Sequence, residues 1–168
     1  MDELIMERPS RRRTPIEDGD SFQQFGALPW RRNKRGEIRV LLVTSRERGR
    51  WLFPKGWLAE GRTAAESAAT EAFEEAGVIG DIDDRVLGSY HYEKILRDQS
   101  TVDCIVTMFP LRVRGTLLQW RERGERKRRW CNLAEAIDLV SDAGLSKLLR
   151  EVQDDGRLQA RDVVPPLR

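Results

Sequence analysis

The chain has few of the side chains that most often carry chemistry. Its 168 residues include one histidine, His91, and two cysteines, Cys104 and Cys131, with no CxxC spacing. A structural zinc site is thereby excluded, as is any Ser-His or Cys-His hydrolase that does not run through His91. A catalytic metal would have to be held by carboxylates, which selects a hard ion such as Mg²⁺. No run approaches the roughly 18 consecutive apolar residues of a membrane-crossing helix, and the opening MDELIMERPSRRR lacks the apolar core of a secretory signal. The expected compartment is the cytoplasm, with no membrane partner. Lysine is also scarce, at 5 of the 30 basic residues, the other 25 being arginine. The formal net charge of +2 predicts no nucleic-acid partner by itself, so any basic function must come from clustering. Arginine presents a planar fork suited to phosphate and carboxylate oxygens; a GC-rich genome writing Arg for Lys accounts for the excess equally well.

Length and an apolar share of 39% are those of one globular domain. Residues 1–20 mix Arg11, Arg12 and Arg13 with acids and two prolines and show no periodicity, which predicts a flexible tail. The folded domain is expected over 21–152, with 153–168 as a C-terminal tail. Strands are predicted at 23–29 and 38–45, where IRVLLVTS reads as buried, with a polar turn at 31–37 between them. A short strand at 51–53 is followed by the breaker Pro54-Lys55-Gly56 and a loop to Arg62.

Thr63 opens the clearest helix: with Glu66 it forms a capping box, residues 64–76 hold no Gly or Pro, and Gly77 follows as the C′ residue. Ala65, Ala68, Ala69, Ala72, Phe73 and Ala76 form its predicted buried stripe. Strands at 86–93 and 101–113, joined by a polar turn around Arg97, Asp98 and Gln99, precede helices beginning at Asn132 and near Leu145. Strands on both sides of one helix, then two more helices, predict an α/β (α+β) fold with a mixed sheet covered on both faces.

On the 64–76 helix Glu71, Glu74 and Glu75 stand at i, i+3 and i+4, so their carboxylates share one side. They repel one another by roughly 0.2–0.5 kcal/mol a pair. They also occupy the last turns, where the helix dipole disfavours negative charge. A solvated acidic face is the ordinary reading of such a helix; a divalent cation that converts the repulsion into binding is the other.

Residues 56–78, GWLAEGRTAAESAATEAFEEAGV, resemble the Nudix box, whose pattern is G, five residues, E, seven residues, then R-E-U-x-E-E-x-G-U with U aliphatic. Gly56, Glu71, Glu74, Glu75, Gly77 and Val78 match, Ala72 replaces an aliphatic, and Arg62 and Thr70 depart where Glu and Arg belong. The flanking segments VTSRERGRWLFPKGW and ERKRRWCNLAEAI are similar to the diphosphoinositol polyphosphate and diadenosine polyphosphate hydrolase branch. The resemblance implies an α/β/α sandwich and a hydrolase that splits a phosphoanhydride bond using Mg²⁺, with Mn²⁺ as a substitute. It implies Glu71, Glu75 and the Lys55 carbonyl as metal ligands and Glu74 as the catalytic acid/base, with Glu71 beside it in the catalytic set. It also implies that the pattern's Arg would orient the first glutamate of the trio.

The substrate expected from the resemblance is a small anionic polyphosphate, met by Thr44, Ser45, Arg46, Arg50, Lys55, Gly56 and Lys127. Lys127 lies in the run RERGERKRRW (121–130), which reads as a solvated loop, a polyphosphate clamp or an RNA-binding strip. Gln23 and Gln24 stand where the diphosphoinositol enzymes place basic residues. Glu122 and Glu125 could add a metal ligand. His91 is expected to be partly buried or to touch a phosphate, and Trp51 and Trp130 to pack in the core. Two alternatives stand beside the polyphosphate hydrolase: an RNA 5′ pyrophosphohydrolase, and a non-catalytic ligand-binding module suggested by Arg62 and Thr70.

Overall fold

The computed structural model describes residues 21–162 together with the backbone of 11–12 and 14–15. Its centre is a pair of long parallel strands, β3 (Ser21–Arg32) and β10 (Thr101–Thr116), in register from Ser21 opposite Asp103 to Trp30 opposite Arg112. The turn after β3 leads back into β4 (Ile38–Thr44), antiparallel to the end of β3. On its other edge β10 is shared by two antiparallel strands, β9 (Gly88–Ile95) along its first half and β8 (Val78–Ile82) along its second. β11 (Arg128–Cys131) closes the far edge against β4. The sheet is therefore mixed.

Period-two alternation divides its side chains between two cores. Val40 and Leu42 of β4 face α2 (Leu133–Leu139) and α3 (Ala143–Asp155), where Leu145, Leu148, Leu149 and Val152 complete one fully buried cluster. Leu41 and Val43 face the alanines of α1 (Ala64–Ala76) in the other. Helices thus cover both faces, the expected α/β/α arrangement. Small side chains at Ala65, Ala68, Ala72 and Ala76 let α1 lie close to the sheet. Phe73 departs from the expected stripe and is 46% exposed. The capping box at Thr63 and Glu66 and the left-handed Gly77 (φ 63°) delimit α1 where the sequence predicts.

The 54–62 loop contains two minimal strands. β6 (Lys55–Gly56) pairs with Phe25 and Gly26 of β3, and β7 (Leu58–Ala59) follows it. These pairings fix the chain just before α1 to the central strand. β5 (Trp51–Leu52) pairs with the end of β4.

The described residues reach into both of the segments expected to be tails. The backbone of β1 (Arg11–Arg12) pairs with β7, and that of β2 (Thr14–Pro15) pairs with Phe22 and Gln23 of β3; the rest of 1–20 lies outside the described residues. At the other end α3 runs past 152, Gly156 caps it, and Leu158 is completely buried. Arg157 donates to the Leu87 carbonyl (2.8 Å), and Arg161 to Asp83 (2.9 Å) and the Arg85 carbonyl (3.0 Å), so this segment is docked on the β8–β9 connection. Residues 163–168 lie outside the described residues. Leu158→Ala is expected to cost about 2–5 kcal/mol in a urea melt, as for other buried leucines. A loss below about 0.5 kcal/mol, the usual range of surface changes, would show that the segment is not part of the core.

Candidate active site

The last turn of α1 presents a problem of unpaired carbonyls, since a helix leaves its final C=O groups without intrahelical donors. Here the 117–128 segment supplies donors to them in succession. Glu122 N–H donates to the Glu74 carbonyl (3.2 Å) and Trp120 Nε1 to that of Glu75 (3.0 Å). Arg128 Nη1 donates to the Ala76 carbonyl (2.8 Å) and Leu117 N–H to that of Gly77 (2.8 Å). The Arg128 guanidinium also stacks on Trp120 at 3.9 Å and reaches the Leu117 carbonyl (2.7 Å). The segment read as a basic loop is thus in large part the C-terminal cap of the glutamate helix.

The cap determines where the three acids lie. All are buried, with Glu71 2%, Glu74 7% and Glu75 6% exposed, so they are not a solvated face. Glu71 and Glu75 line an open cleft of about 1190 Å³, and their carboxyl groups lie within hydrogen-bonding reach of each other. Glu74 is not among the cleft's lining residues; Arg121 approaches its carboxylate at 3.9 Å. Burial pushes the Glu75 carboxyl above the usual range, opposed by the charges of Arg126 and Lys55. Arg126 Nη2 lies 3.3 Å from Glu75 Oε1, and its Nε lies 3.3 Å from Glu122. Arg46 approaches Glu122 at 3.7 Å and Glu125 at 3.8 Å. Gly56 has no room for a Cβ, which would fall on the Glu71 carboxylate.

Lys55 donates its backbone N–H towards Glu75 Oε2 (3.4 Å) and holds its ammonium 4.5 Å from the centre of the Tyr92 ring. Burial lowers its pKa to about 8, with Glu75 acting in the opposite direction. The Tyr92 hydroxyl donates to Gln24 Oε1. Seven cations line the cleft: Arg46, Arg48, Arg50, Lys55, Lys94, Arg97 and Arg126.

Of the residues expected from sequence, the fold brings Ser45, Arg46, Arg50, Lys55, Gly56, Glu71 and Glu75 together around this cleft. Three others, Glu74, Thr44 and Lys127, it does not. Thr44 is buried and bonded to Lys127, its N–H donating to the Lys127 carbonyl (3.0 Å) and its hydroxyl accepting from the Lys127 N–H (2.9 Å). The Lys127 side chain is exposed and does not line the cleft; its neighbour Arg126 does. The strand alternation that ends at Trp130 separates 126, 128 and 130 from 127 and 129, and counting back by twos from the tryptophan would have selected Arg126. His91 is exposed on β9 and does not line the cleft. Trp51 and Trp130 each pack against one of the two cores as expected; Trp51 also lines the cleft, and Trp130 also stacks with Arg31 at 3.9 Å. Lys94 and Arg97 give no local signal, because only the β9–β10 pairing carries them over the site.

Arg62 and Thr70, the two departures from the box pattern, are bonded to each other. Arg62 Nη1 donates to the Thr70 hydroxyl at 2.6 Å, and that hydroxyl donates to the Glu66 carbonyl at 2.9 Å. The two positions remain in contact with the charge arrangement changed.

Among the described residues no three His, Cys, Asp or Glu side chains converge as a metal cluster. Two buried neighbouring carboxylates suit Mg²⁺ nonetheless, because that ion keeps much of its water and takes only one or two protein carboxylates alongside substrate phosphates.

The NUDIX domain family model matches residues 23–152. The chain belongs to the Nudix hydrolase family. It is 32% identical over 156 residues to Nudix hydrolase 12, mitochondrial, of Arabidopsis thaliana, covering 82% of this chain and 77% of that protein. Diphosphoinositol polyphosphate phosphohydrolase 3-beta of Bos taurus is 28% identical over 135 residues, covering 79% of this chain and 77% of that protein. Among solved structures, a C. elegans Ap4A hydrolase binary complex superposes with a TM-score of 0.61 at 23% identity, over 79% of this chain and 95% of that one. This Nudix domain carries the box glutamates on a helix whose cap comes from the Arg-rich segment.

The cap makes unequal demands on two neighbours. Arg128→Ala is expected to lower stability by about 1–3 kcal/mol, since it leaves two carbonyls without their donor. Lys127→Ala should stay within about 0.5 kcal/mol of wild type, as exposed positions do. Equal losses in a chemical denaturation series would contradict the cap.

Proposed function

We propose that the cleft hydrolyses a phosphoanhydride bond in a dinucleoside polyphosphate or a diphosphoinositol polyphosphate. The observation that carries this reading is a buried carboxylate pair, Glu71 and Glu75, in a cleft lined by seven cations. Such walls match a substrate with many phosphates, and charge-assisted contacts to them are the stronger kind of hydrogen bond. Relatives named for diphosphoinositol polyphosphate and Ap4A substrates support the class.

Glu71, Glu75 and the Lys55 carbonyl would hold Mg²⁺ or Mn²⁺, which when bound neutralises phosphate charge and lowers the pKa of a coordinated water. The absent side chain at Gly56 leaves the Glu71 carboxylate its place. Arg126, which neutralises Glu75 from 3.3 Å, is placed to turn towards a phosphate once a metal supplies that neutralising charge. Lys55 and the 45–50 loop bind and orient the chain of phosphates. The acid/base role that the box pattern assigns to Glu74 falls to Glu71 in this reading, because Glu71 lines the cleft and Glu74 does not. The Arg62–Thr70 bond leaves the glutamates in place, which favours an enzyme over a binding module. The 121–129 run offers no continuous strip to RNA, because Arg126 and Arg128 are used internally.

A panel of diadenosine hexaphosphate, a diphosphoinositol polyphosphate, 5′-triphosphorylated RNA and ATP, assayed with and without Mg²⁺, tests the reading. Activity is expected on the first two, and Glu75→Gln should lower kcat by at least roughly 100-fold. Full activity in both Glu71→Gln and Glu75→Gln would remove the metal-site assignment, and an inactive wild type would favour the binding module.

The pH profile provides an independent check. Lys55 is protonated below its pKa of about 8 and neutral above it, so kcat/KM should fall as pH rises through that value. Lys55→Arg, which stays charged, should remove the alkaline fall; a profile unchanged by the substitution would show that Lys55 does not bind the substrate's charge.

A further inference from the structure

We propose that Glu122 is a positioning residue of the active site: by holding Arg126 as its counter-charge, it lets Glu75 exchange that arginine for a divalent cation. The proposal rests on the metal-dependent reading of the cleft and adds to it a residue outside the glutamate trio that sets how tightly the cation binds.

A single helical turn brings Glu122 to Arg126. The Arg126 N–H donates to the Glu122 carbonyl (3.0 Å) and the Glu125 N–H to the same oxygen (2.9 Å), so residues 122 and 126 stand on one side of the turn. The Glu122 N–H, bonded to the Glu74 carbonyl, fixes this turn to α1. Both facing side chains are enclosed, Arg126 being 9% and Glu122 8% exposed. Arg126 and Glu75 line the cleft and Glu122 does not, so its carboxylate stands behind the arginine rather than among the groups that face a bound cation.

The planar fork of Arg126 divides its donors among three acceptors. Nε lies 3.3 Å from Glu122 Oε1, Nη1 donates to the Thr44 carbonyl at 2.9 Å, and Nη2 lies 3.3 Å from Glu75 Oε1. A cation on Glu75 displaces only the last of these contacts. With Glu122 in place the guanidinium keeps a counter-charge, and Nη2 is freed for a phosphate oxygen. Without Glu122, Glu75 is the one carboxylate among the described residues left within ion-pair distance of Arg126. Giving that carboxylate to a metal would then strand a buried positive charge, which is a costly state, so the arginine would compete with the cation. Arg46 also approaches Glu122 Oε1, at 3.7 Å, but its side chain is 55% exposed and lies 3.8 Å from Glu125 as well, so solvent and Glu125 compensate it. The counter-charge that Glu122 supplies is therefore chiefly for Arg126.

The test measures Mn²⁺ binding to the full-length protein by electron paramagnetic resonance, with no substrate present. The chains compared are wild type, Glu122→Gln, Arg126→Gln and the double variant. Loss of a residue that supports a metal ligand from behind weakens metal affinity by roughly 10- to 100-fold, and a loss of that size is expected of Glu122→Gln. Arg126→Gln removes the competitor and should bind Mn²⁺ more tightly than wild type. In the double variant both charges are gone, and the affinity should return close to that of wild type. A double variant as weak as Glu122→Gln would make Glu122 a ligand or a structural support instead of a counter-charge, and would overturn the proposal. Unchanged affinity in Glu122→Gln would overturn it as well. If Glu122→Gln fails to fold, Arg126→Gln decides alone, and unchanged or weaker binding there contradicts the competition. Mn²⁺ binding that survives Glu75→Gln would remove the metal-site reading together with this proposal. Binding that Glu75→Gln abolishes but that is indifferent to Glu122 and Arg126 would remove the proposal and leave the metal site.

Discussion

The structure depends on how the C-terminus of α1 is closed. Three glutamates at the negative end of a helix dipole, buried beside one another, are an unfavourable arrangement that an isolated helix would not hold. The 117–128 segment makes it tenable in two ways. Its N–H, indole and guanidinium donors occupy the carbonyls from Glu74 to Gly77, which removes acceptors whose dipoles would otherwise oppose the acids. Its side chains then bring positive charge to the carboxylates, Arg121 to Glu74 and Arg126 to Glu75. Breaking a buried pair of this kind strands a charge, so the pairing restrains both partners. Arg126 is further fixed by the Thr44 carbonyl at 2.9 Å, which ties the cap to the end of β4.

The same tie links helix, sheet edge and cleft. β4 ends at Thr44, and the cation-bearing 45–50 loop begins at the next residue. The long parallel pairing of β3 with β10 carries β9 alongside, and the β9–β10 turn brings Lys94 and Arg97 to the opposite side of the site. Seven cations from separate parts of the chain thus gather around the cleft that holds the buried pair Glu71 and Glu75, with Glu47, Glu93, Asp98 and Asp142 among them, although the protein as a whole is nearly neutral at +2. Net charge is a poor guide to this site because it does not report which charges the fold brings together, here seven cations and six acids around one cleft.

Much of this was legible in the sequence where the signal is local. The α1 boundaries follow from Thr63, Glu66 and Gly77, and the two-faced burial of β4 from its unbroken apolar run. The spacing from Gly56 to Glu71 identifies the box despite Arg62 and Thr70. What could not be read depends on distant partners. β8 escaped because Gly80 and Asp81 interrupt its pattern; the glycine is needed where β8 runs so close to β10 that a Cβ would strike the Arg112 carbonyl. That Arg126 rather than Lys127 lines the cleft was not readable while the segment was taken as a loop, in which alternation has no meaning, whereas from Arg128 it is an edge strand. The docking of 156–162 was not readable because its arginines and single leucine carry no periodicity of their own.

The central claim is that Glu75 is a buried carboxylate held close to Glu71 in readiness for a cation. Carboxyl ¹³C NMR of Glu75, titrated with and without Mg²⁺, addresses it most directly. Without metal the carboxyl should titrate above the ordinary glutamate range, because burial raises it more than Arg126 and Lys55 lower it. With saturating Mg²⁺ the titration should move to markedly lower pH, since a bound cation favours the ionised form. An ordinary titration that Mg²⁺ leaves unchanged would contradict the account.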